Sequence, residues 1–231
     1  MDILGVLVLV GFVLFFVGML YFAIQINRKE VEKKQQTAQS LGFSPVTADP
    51  KLTADIAELY RRSQARTNYE MRNVSRKVIP DGEIYLFDLV DTYGRNDSWL
   101  ERQAVAIVSP YLKAPPFTLF PKADQKYVLG GLANKVLEWG MSFVGTPLDF
   151  PEYPEFDARY ILSSEEGTDW VRGFFDQRLA QYFSHTQMFT LHAGGNVFTF
   201  SEMGTNFDTN DQSVMSQRVN HALDIFRLMQ K

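Results

Sequence analysis

The start of the chain constrains its architecture more than any other feature. From Ile3 to Ile26 the sequence has no charged side chain and a single amide, Gln25. As a helix this apolar run is about 36 Å long, which exceeds the roughly 30 Å of a bilayer's hydrocarbon core. The rest of the chain is polar and charged like an ordinary globular protein. The sequence therefore predicts a transmembrane anchor over residues 1–26.

A cleaved signal peptide is the competing interpretation of this start. Such a peptide has a basic beginning, an apolar core of about 7–15 residues and a cleavage site between small residues. Here the only charge before the apolar run is Asp2, and Tyr21–Gln25 contains no Ala-x-Ala pattern. These features favour a retained, single-pass anchor.

The charges that flank the apolar run predict its orientation. No Lys or Arg precedes the run, whereas Arg28, Lys29, Lys33 and Lys34 follow it directly. Basic residues are in excess on the cytoplasmic side of membrane proteins. We therefore expect the protein in the inner (cytoplasmic) membrane, with its N-terminus outside and everything after the anchor in the cytoplasm.

Charge is unevenly distributed over the remaining residues, and this narrows the choice of partners. Residues 27–77 hold 11 basic and 6 acidic side chains, whereas residues 78–231 hold 12 and 20. Anionic headgroups attract nearby basic side chains by about 1 kcal/mol each, so membrane lipids are expected partners. The alternative is that the basic and the acidic parts are both merely solvated surfaces. Nucleic acid is a poor partner for so acidic a chain. The absence of cysteine excludes disulfides and thiol chemistry.

Hydrophobic periodicity predicts an α+β fold after the anchor, with helices segregated around an antiparallel sheet. We expect a juxtamembrane helix over residues 27–42, stopped by Gly42, and one domain over residues 43–231. A helix is predicted from Leu52 to Ala65, capped by Asp49 or Thr53. Strands are predicted at 69–79, 83–93 and 102–109, with a turn at 80–82 and a loop at 94–97.

The second half of the domain gives a mixed pattern. Proline at both ends of 115–121 predicts an edge strand at best, and 124–139 is ambiguous because Gly130 and Gly131 interrupt a helical spacing. Residues 145–156 form an extended aromatic strap. We further predict a strand at 160–162, a helix at 169–183, a hairpin across Gly194 and Gly195, and a last helix at 212–229 capped by Asn210 or Asp211.

Three short motifs carry a resemblance to a known family. In order behind the anchor they are Leu86–Asp88, Pro116–Pro121 and Tyr153–Leu162. With these motifs the chain resembles a family of bacterial single-pass, membrane-anchored proteins of uncharacterised function. The resemblance covers most of the chain and implies an anchored cytoplasmic domain, and it supplies no catalytic residues.

A search for reactive groups gives no catalytic, cofactor-binding or metal-binding residue. His185, His192 and His221 form no metal-ligand motif, and each is interpreted as structural. The segment 208–212 lacks the glycine and glutamate of a calcium loop, so it is interpreted as a helix cap. Glu165 and Glu166 are interpreted as complementing a helix dipole rather than as an acid/base pair. The sequence therefore favours a protein that is not an enzyme and has no cofactor.

Interaction features are clearer than chemical ones. Gly11, Phe15, Gly18 and Phe22 fall on one stripe of the anchor helix, where small residues allow a second helix to approach closely; a lipid-facing stripe is the alternative. The middle of the apolar run holds no side chain that could ligate a metal or relay protons.

Two further segments are candidate contact surfaces. The first comprises basic residues that would contact lipid or a partner: Arg28, Lys29, Arg61, Arg62, Arg66, Arg72, Arg76 and Lys77. The second is the strap, in which Phe150, Tyr153 and Phe156 form either a docking arm or a cover over the domain's own core.

These observations predict a non-catalytic, single-pass accessory or scaffold subunit that stabilises a larger membrane complex, with other integral membrane proteins as partners. A photosynthetic or respiratory complex is a candidate host. A lipid-binding or sensor domain at the membrane surface is the first alternative, and an anchored hydrolase is the second.

Overall fold

A computed structural model describes residues 3–47, 49–63, 69–92, 99–122, 145–165, 168–202 and 211–230. Its helices are α1 (Ile3–Ser40), α2 (Pro50–Ser63), α3 (Pro154–Arg159), α4 (Thr168–Phe174), α5 (Gln177–His185) and α6 (Gln212–Met229). Its strands are β1 (Ser44–Pro45), β2 (Tyr69–Ile79), β3 (Gly82–Thr92), β4 (Trp99–Val108), β5 (Ala114–Pro121), β6 (Thr146–Leu148), β7 (Tyr160–Ser164), β8 (Phe189–Gly195) and β9 (Val197–Glu202).

The strands form one antiparallel sheet in the order β1-β2-β3-β4-β9-β8-β5-β7-β6. One face packs on helices α1 and α3–α6 and carries the larger core cluster, with Phe156, Phe183 and Phe200 among its buried rings. The other face packs on α2 through a smaller cluster around Ile56 and Phe87. This arrangement confirms the predicted α+β class with an antiparallel sheet.

Helix α1 continues without a break from the apolar run to Ser40, as the sequence predicts. The helix is terminated by Gly42, two residues after Ser40. Gly42 has φ +84° and so takes the left-handed conformation that glycine tolerates best. The amide of Gly42 donates to the carbonyl of Gln39, and the amide of Phe43 donates to that of Ala38. These two bonds form a Schellman ending.

Several predicted boundaries are confirmed by the backbone. Strands β2 and β3 meet at the predicted turn, where a Cβ on Gly82 would lie 2.2 Å from the carbonyl oxygen of Val108. Asp49 caps α2 by accepting from the amide of Lys51 at 2.9 Å, and Asp211 caps α6 by accepting from the amide of Ser213 at 2.7 Å. The predicted features at 94–97 and 124–139, and the alternative cap Asn210, lie outside the described residues.

The prediction of an edge strand at 115–121 is wrong. β5 lies inside the sheet and pairs with β8 on one side and β7 on the other. Its prolines do not break these ladders because the register shifts between Ala114 and Phe117 and because Pro121 is the last paired residue. Proline is tolerated at strand ends and irregularities, where no ladder hydrogen bond is lost.

The single helix predicted at 169–183 is also wrong, because the chain forms α4 and α5 with a break between them. Asp176 stands at the break and accepts hydrogen bonds from the amides of Arg178 and Leu179, each at 3.1 Å. A carboxylate that satisfies the free amides of a first turn begins a new helix. The apolar spacing continues through the break, so periodicity alone does not reveal it.

Candidate functional site

The charged residues buried deepest in the sheet lie where α1 meets it. Asp88 of β3 is 2% exposed, and its Oδ2 accepts from Lys34 Nζ of α1 at 3.1 Å and from Asn73 Nδ2 of β2 at 2.7 Å. We call this group, with Gln103 of β4 and Arg218 of α6, the junction. It ties the helix that carries the apolar run to the body of the domain.

The local sequence explains how β2 and β3 build the junction. Asp88 lies in an apolar strand, on the same face as Leu86 and opposite Arg72 of β2. The register of β2 shifts between Arg72 and Ser75, and Asn73 takes a positive φ of 52°. A bulge of this kind redirects one side chain. Here the redirected side chain is the Asn73 amide, which reaches the carboxylate.

The next strand and the last helix extend the junction. Gln103 of β4 lies opposite Asp88 in the ladder, and its Oε1 accepts from Nη1 of Arg218. Arg218 is 2% exposed and is among the largest fully buried side chains. A cavity of about 10 Å³ lies beside Lys34, Asp88 and Gln103, which is the size of about one water molecule. The junction is therefore a packed structural contact rather than a ligand pocket.

The junction also fixes how the sheet is directed relative to α1. Lys34 lies beside Asp88, and just past the end of α1 the carbonyl of Leu41 accepts from Lys77, which pairs with Ile84. The last turns of α1 therefore run antiparallel to β3. From Asp88 to Thr92 the strand covers about 14 Å, and from Lys34 back to Ile26 the helix covers about 12 Å. The end of β3 thus lies level with the end of the apolar run.

The anchor stripe predicted from the sequence lies on the exposed surface of α1. Phe15 and Phe22 are 63% and 67% exposed, and apart from the adjacent residues and the helix's own backbone no described atom lies within 4 Å of a Cβ placed on Gly11 or Gly18. α1 is also the one helix, within the described residues, that is long and apolar enough to cross a membrane. The stripe is therefore accessible to a second helix or to lipid.

The predicted basic surface is partly engaged within the chain. Arg72 pairs with Glu70 at 2.8 Å, Arg76 pairs with Glu83 at 2.6 Å, and Lys77 Nζ donates to the Leu41 carbonyl at 2.8 Å. The other members divide into two groups. Arg28 and Lys29 are exposed on α1, whereas Arg66 and the side chains of Arg61 and Arg62 lie outside the described residues.

The aromatic strap of the sequence is mostly buried. Residues 146–148 form the edge strand β6, and residues 154–159 form α3. Phe150 and Phe156 are 0% and 1% exposed and pack edge to face at 5.6 Å, while Tyr153 is half-buried against the same cluster. This burial favours the second sequence interpretation, a cover over the domain's own core, because the two phenylalanine rings are not available on the surface.

The three histidines lie in three different environments. His185 is exposed on α5, His221 hydrogen-bonds the Tyr182 hydroxyl at 2.9 Å, and His192 is buried on β8 beside Tyr60, with ring centroids 4.2 Å apart. No cluster of three or more His, Asp or Glu that could hold a metal occurs in the described parts of the chain.

His192 belongs to a polar row on the α2 face of the sheet, which sequence reasoning missed. The row follows strand pairing, and its buried members are Thr118, Ser163, Thr190, His192, Thr199 and Ser201. Three of these hydroxyls, on Thr190, Thr199 and Ser201, have no hydrogen-bond partner among the described residues. Buried hydroxyls of this kind usually bind water or a small polar group. Strand alternation of Ser and Thr with Phe and Leu is the signal that could have found the row.

The junction was also missed, although the sequence carries a signal for it. Aspartate is depleted in strands and is almost never fully buried unless it is paired. An aspartate at position 88, between Phe87 and Leu89, therefore indicates a buried partner of opposite charge. The partner could not be named, because Lys34 is one of several basic residues on a helix that looked uniformly solvated.

Comparison with known proteins identifies a structural relative. The fold is similar to the crystal structure of the mycobacterial trehalose monomycolate transport factor A, TtfA, with a TM-score of 0.50 and 14% sequence identity. The similarity covers 87% of this chain and 96% of the TtfA chain. No known protein family and no curated protein matches the sequence. A likeness at this identity shows a shared fold and does not by itself transfer a function.

Proposed function

We propose that the protein is a non-catalytic, single-pass accessory factor that is anchored in a bacterial inner membrane and serves a transport assembly there. The observation that carries this proposal is the continuity of α1. One helix contains the whole apolar run and is then tied to the sheet by the buried Lys34–Asp88 pair. A domain held in this way keeps a fixed orientation to the membrane and to any partner of the anchor.

The likeness to TtfA supports the choice of host. That protein is a transport factor, and the structural match covers 96% of its chain and 87% of this one. Accordingly we favour a membrane transport system over the photosynthetic or respiratory complex that the sequence alone suggested. The family of anchored bacterial proteins that the motifs resemble is compatible with the same role, and we retain membership of it as part of the proposal.

The direction of the sheet supports a second element of the proposal, a domain that rests on the membrane surface. With the apolar run in the bilayer, the ends of β2, β3 and β4 at Tyr69, Thr92 and Trp99 would lie at the level of the headgroups. The exposed Arg28 and Lys29 lie at the same level on α1. Basic residues placed there gain from anionic lipid, so lipid contact is expected to assist docking.

The anchor stripe provides the test of a transmembrane partner. Replacing Gly11 and Gly18 together with leucine is expected to release the protein from its complex, because the added side chains prevent close helix approach. Both positions have open space around the Cβ within this chain, so the domain itself is expected to fold unchanged. The measurement is co-purification from mild detergent, with the co-purifying proteins identified.

Val13→Phe is the matched control, since Val13 lies on another side of the helix. It is expected to leave the complex intact. Equal recovery of partners with the double leucine variant and with the wild type would contradict a protein partner at the stripe and favour a lipid-facing helix.

Orientation and depth can be tested by single-cysteine labelling, because the chain has no cysteine of its own. Glu70 is exposed at the end of the sheet near the apolar run, and Tyr111 is 62% exposed after β4. We expect a membrane-impermeant maleimide to label Glu70→Cys and Tyr111→Cys in inverted vesicles and neither of them in intact cells. Labelling of either in intact cells would overturn the cytoplasmic placement.

The same two labels test whether the domain rests on the surface. Val90, the ladder partner of Glu70, lies about 7 Å beyond Asp88 toward the apolar run. A fluorophore at Glu70→Cys is therefore expected to be quenched by spin-labelled lipid headgroups, and one at Tyr111→Cys is not. The loss of Glu70 removes only an exposed ion pair, which contributes about 0–1 kcal/mol.

A further inference from the structure

An open cleft lies at the end of the domain that points away from the apolar run. Its volume is about 880 Å³, within the range of small-molecule sites. It is formed where the β2–β3 turn, the β4–β5 connection, α4 and the end of α6 come together, with Asp81, Tyr111, Trp170 and Gln230 among its lining residues. We call it the distal cleft.

Two large aromatic side chains at this cleft are left in solvent. Trp170 is 54% exposed and Tyr111 is 62% exposed, and outside α1 they are two of the three large hydrophobic residues that the described chain exposes. Phe174 and Met229, which also line the cleft, are buried at its base. Ligand sites are typically concave and lined by aromatic and apolar side chains with a few polar groups, and the distal cleft has such a lining.

The polar groups of the distal cleft include both hydrogen-bond donors and acceptors, and their charges balance. Asp81 offers a carboxylate that accepts, Lys113 an ammonium that donates, and Gln230 an amide that does both. One acidic and one basic side chain do not favour a strongly charged ligand. A neutral ligand with both donors and acceptors is favoured.

The frame of the cleft is held in place by the Ser109 side chain, which bridges two backbone segments. The Ser109 hydroxyl donates to the Asp81 carbonyl and accepts from the amide of Tyr111 at 3.1 Å. The turn that carries Asp81 and the connection that carries Tyr111 are therefore fixed relative to each other. Such preorganisation lowers the entropy cost of binding.

We propose that the distal cleft binds a saccharide, with Trp170 and Tyr111 as stacking platforms for the apolar face of a sugar ring. Sugars combine such a face with neutral hydroxyl groups that donate and accept, which is the combination that Asp81, Lys113 and Gln230 would match. The proposal is independent of the transport role, because the cleft lies at the opposite end of the domain from the anchor.

The position of the cleft bears on where the sugar comes from. Leu41, beside Lys77 in the half of β2 that leads to the cleft, is already about 22 Å along α1 from Ile26. A sugar headgroup in the bilayer that holds the anchor would not reach the cleft. With the domain on the cytoplasmic side, a free saccharide is the source that the geometry allows.

The test uses the full-length protein in phosphatidylcholine nanodiscs. Maltose, cellobiose and trehalose are titrated as free probes by calorimetry and saturation-transfer NMR, with adenosine and a proline-rich peptide as competing ligand classes. In a parallel experiment, vesicles that contain digalactosyl diacylglycerol are tested for capture of these nanodiscs. Binding of a free disaccharide supports a soluble sugar, and capture by the vesicles without binding of any free disaccharide would contradict it.

Variants at α4 decide whether binding occurs in the cleft. A Cβ on Gly173 meets no atom within 4 Å, so Gly173→Ala is expected to bind like the wild type, whereas Gly173→Phe places a ring in the cleft. We expect Gly173→Phe and Trp170→Ala to weaken sugar binding at least tenfold with unchanged melting temperature. The proposal is overturned if no sugar probe binds saturably, if these variants bind as the wild type does, or if only adenosine or the peptide binds.

Discussion

Replacing Asp88 with alanine is expected to lower the free energy of unfolding by about 3–5 kcal/mol, a large effect for a single polar substitution. The carboxylate is 2% exposed and accepts from both Lys34 and Asn73. Its removal takes one partner out of an ion pair in which the carboxylate is 2% and the ammonium 16% exposed, and breaking a buried pair by removing one partner is strongly destabilising. The measurement is urea unfolding of the full-length protein in nanodiscs, followed by near-ultraviolet circular dichroism.

Matched variants separate the contribution of the ion pair to stability from the contribution of the volume that its side chains fill. Lys34→Met removes the ammonium but retains most of the side chain, and Lys34→Met with Asp88→Leu replaces the pair by apolar groups of similar size. Buried pairs exchanged in this way often lose little stability. We therefore expect the double variant to be more stable than Asp88→Ala. A loss below 0.5 kcal/mol for Asp88→Ala, a size typical of surface substitutions, would contradict the role of the junction.

The same variants connect stability to the proposed function. If the junction fixes the orientation of the domain relative to the anchor, Asp88→Ala should raise the rate of amide hydrogen exchange in the last turns of α1 more than in the distant strand β7. Local opening of this kind precedes global unfolding where a segment has few other contacts. A further outcome to look for is an Asp88→Ala variant that keeps its complex partners while residues 30–40 lose protection from hydrogen exchange. That result would show that the anchor alone binds the partners and that the junction only orients the domain.

The sequence predicts the elements of this fold that depend on local patterns. The bounds of β2 and α6, the turn at Pro80–Gly82 and the glycine ending of α1 follow from alternation, capping and positive φ. Each of these signals acts within a few residues along the chain. They require no knowledge of what the element packs against.

The errors arose where tertiary structure decides. Proline at both ends of β5 indicated an edge, but pairing with both β7 and β8 places the strand inside the sheet. The order of strands depends on contacts between distant segments, which a single sequence does not reveal. The break at Asp176 was missed because apolar positions stay in phase across it and only the capping carboxylate differs.

The candidate sites divide in the same way, into those set by local sequence patterns and those set by tertiary contacts. The anchor stripe is predictable because helical spacing alone brings Gly11 and Gly18 to one side. The junction combines residues from five separate elements and the distal cleft residues from four separate segments, so no local spacing contains either of them. Trp170 lies within the helix predicted at 169–183, and its role as a candidate platform becomes visible only when α4 is placed beside the β4–β5 connection.

The second large effect is expected from Phe156→Ala, with a loss of about 3–5 kcal/mol in the free energy of unfolding. The ring is 1% exposed, and its centroid lies 4.5 Å from that of Phe175 and 5.6 Å from that of Tyr160. Its removal leaves a cavity in a rigid aromatic cluster, which relaxes only in part. For a protein of about this size the melting temperature should fall by roughly 10 °C.

Tyr153→Ala is the control, because Tyr153 belongs to the same strap but is only half-buried. It removes a side chain of similar size with less burial, so its loss should be clearly smaller than that of Phe156→Ala. The pair of variants also decides between the two interpretations of the strap. A large loss of stability for Phe156→Ala, with partners retained at temperatures where the domain is folded, identifies a core cover. Unchanged stability with loss of partners would identify a docking arm, and would require Phe156 to leave the core when the complex forms.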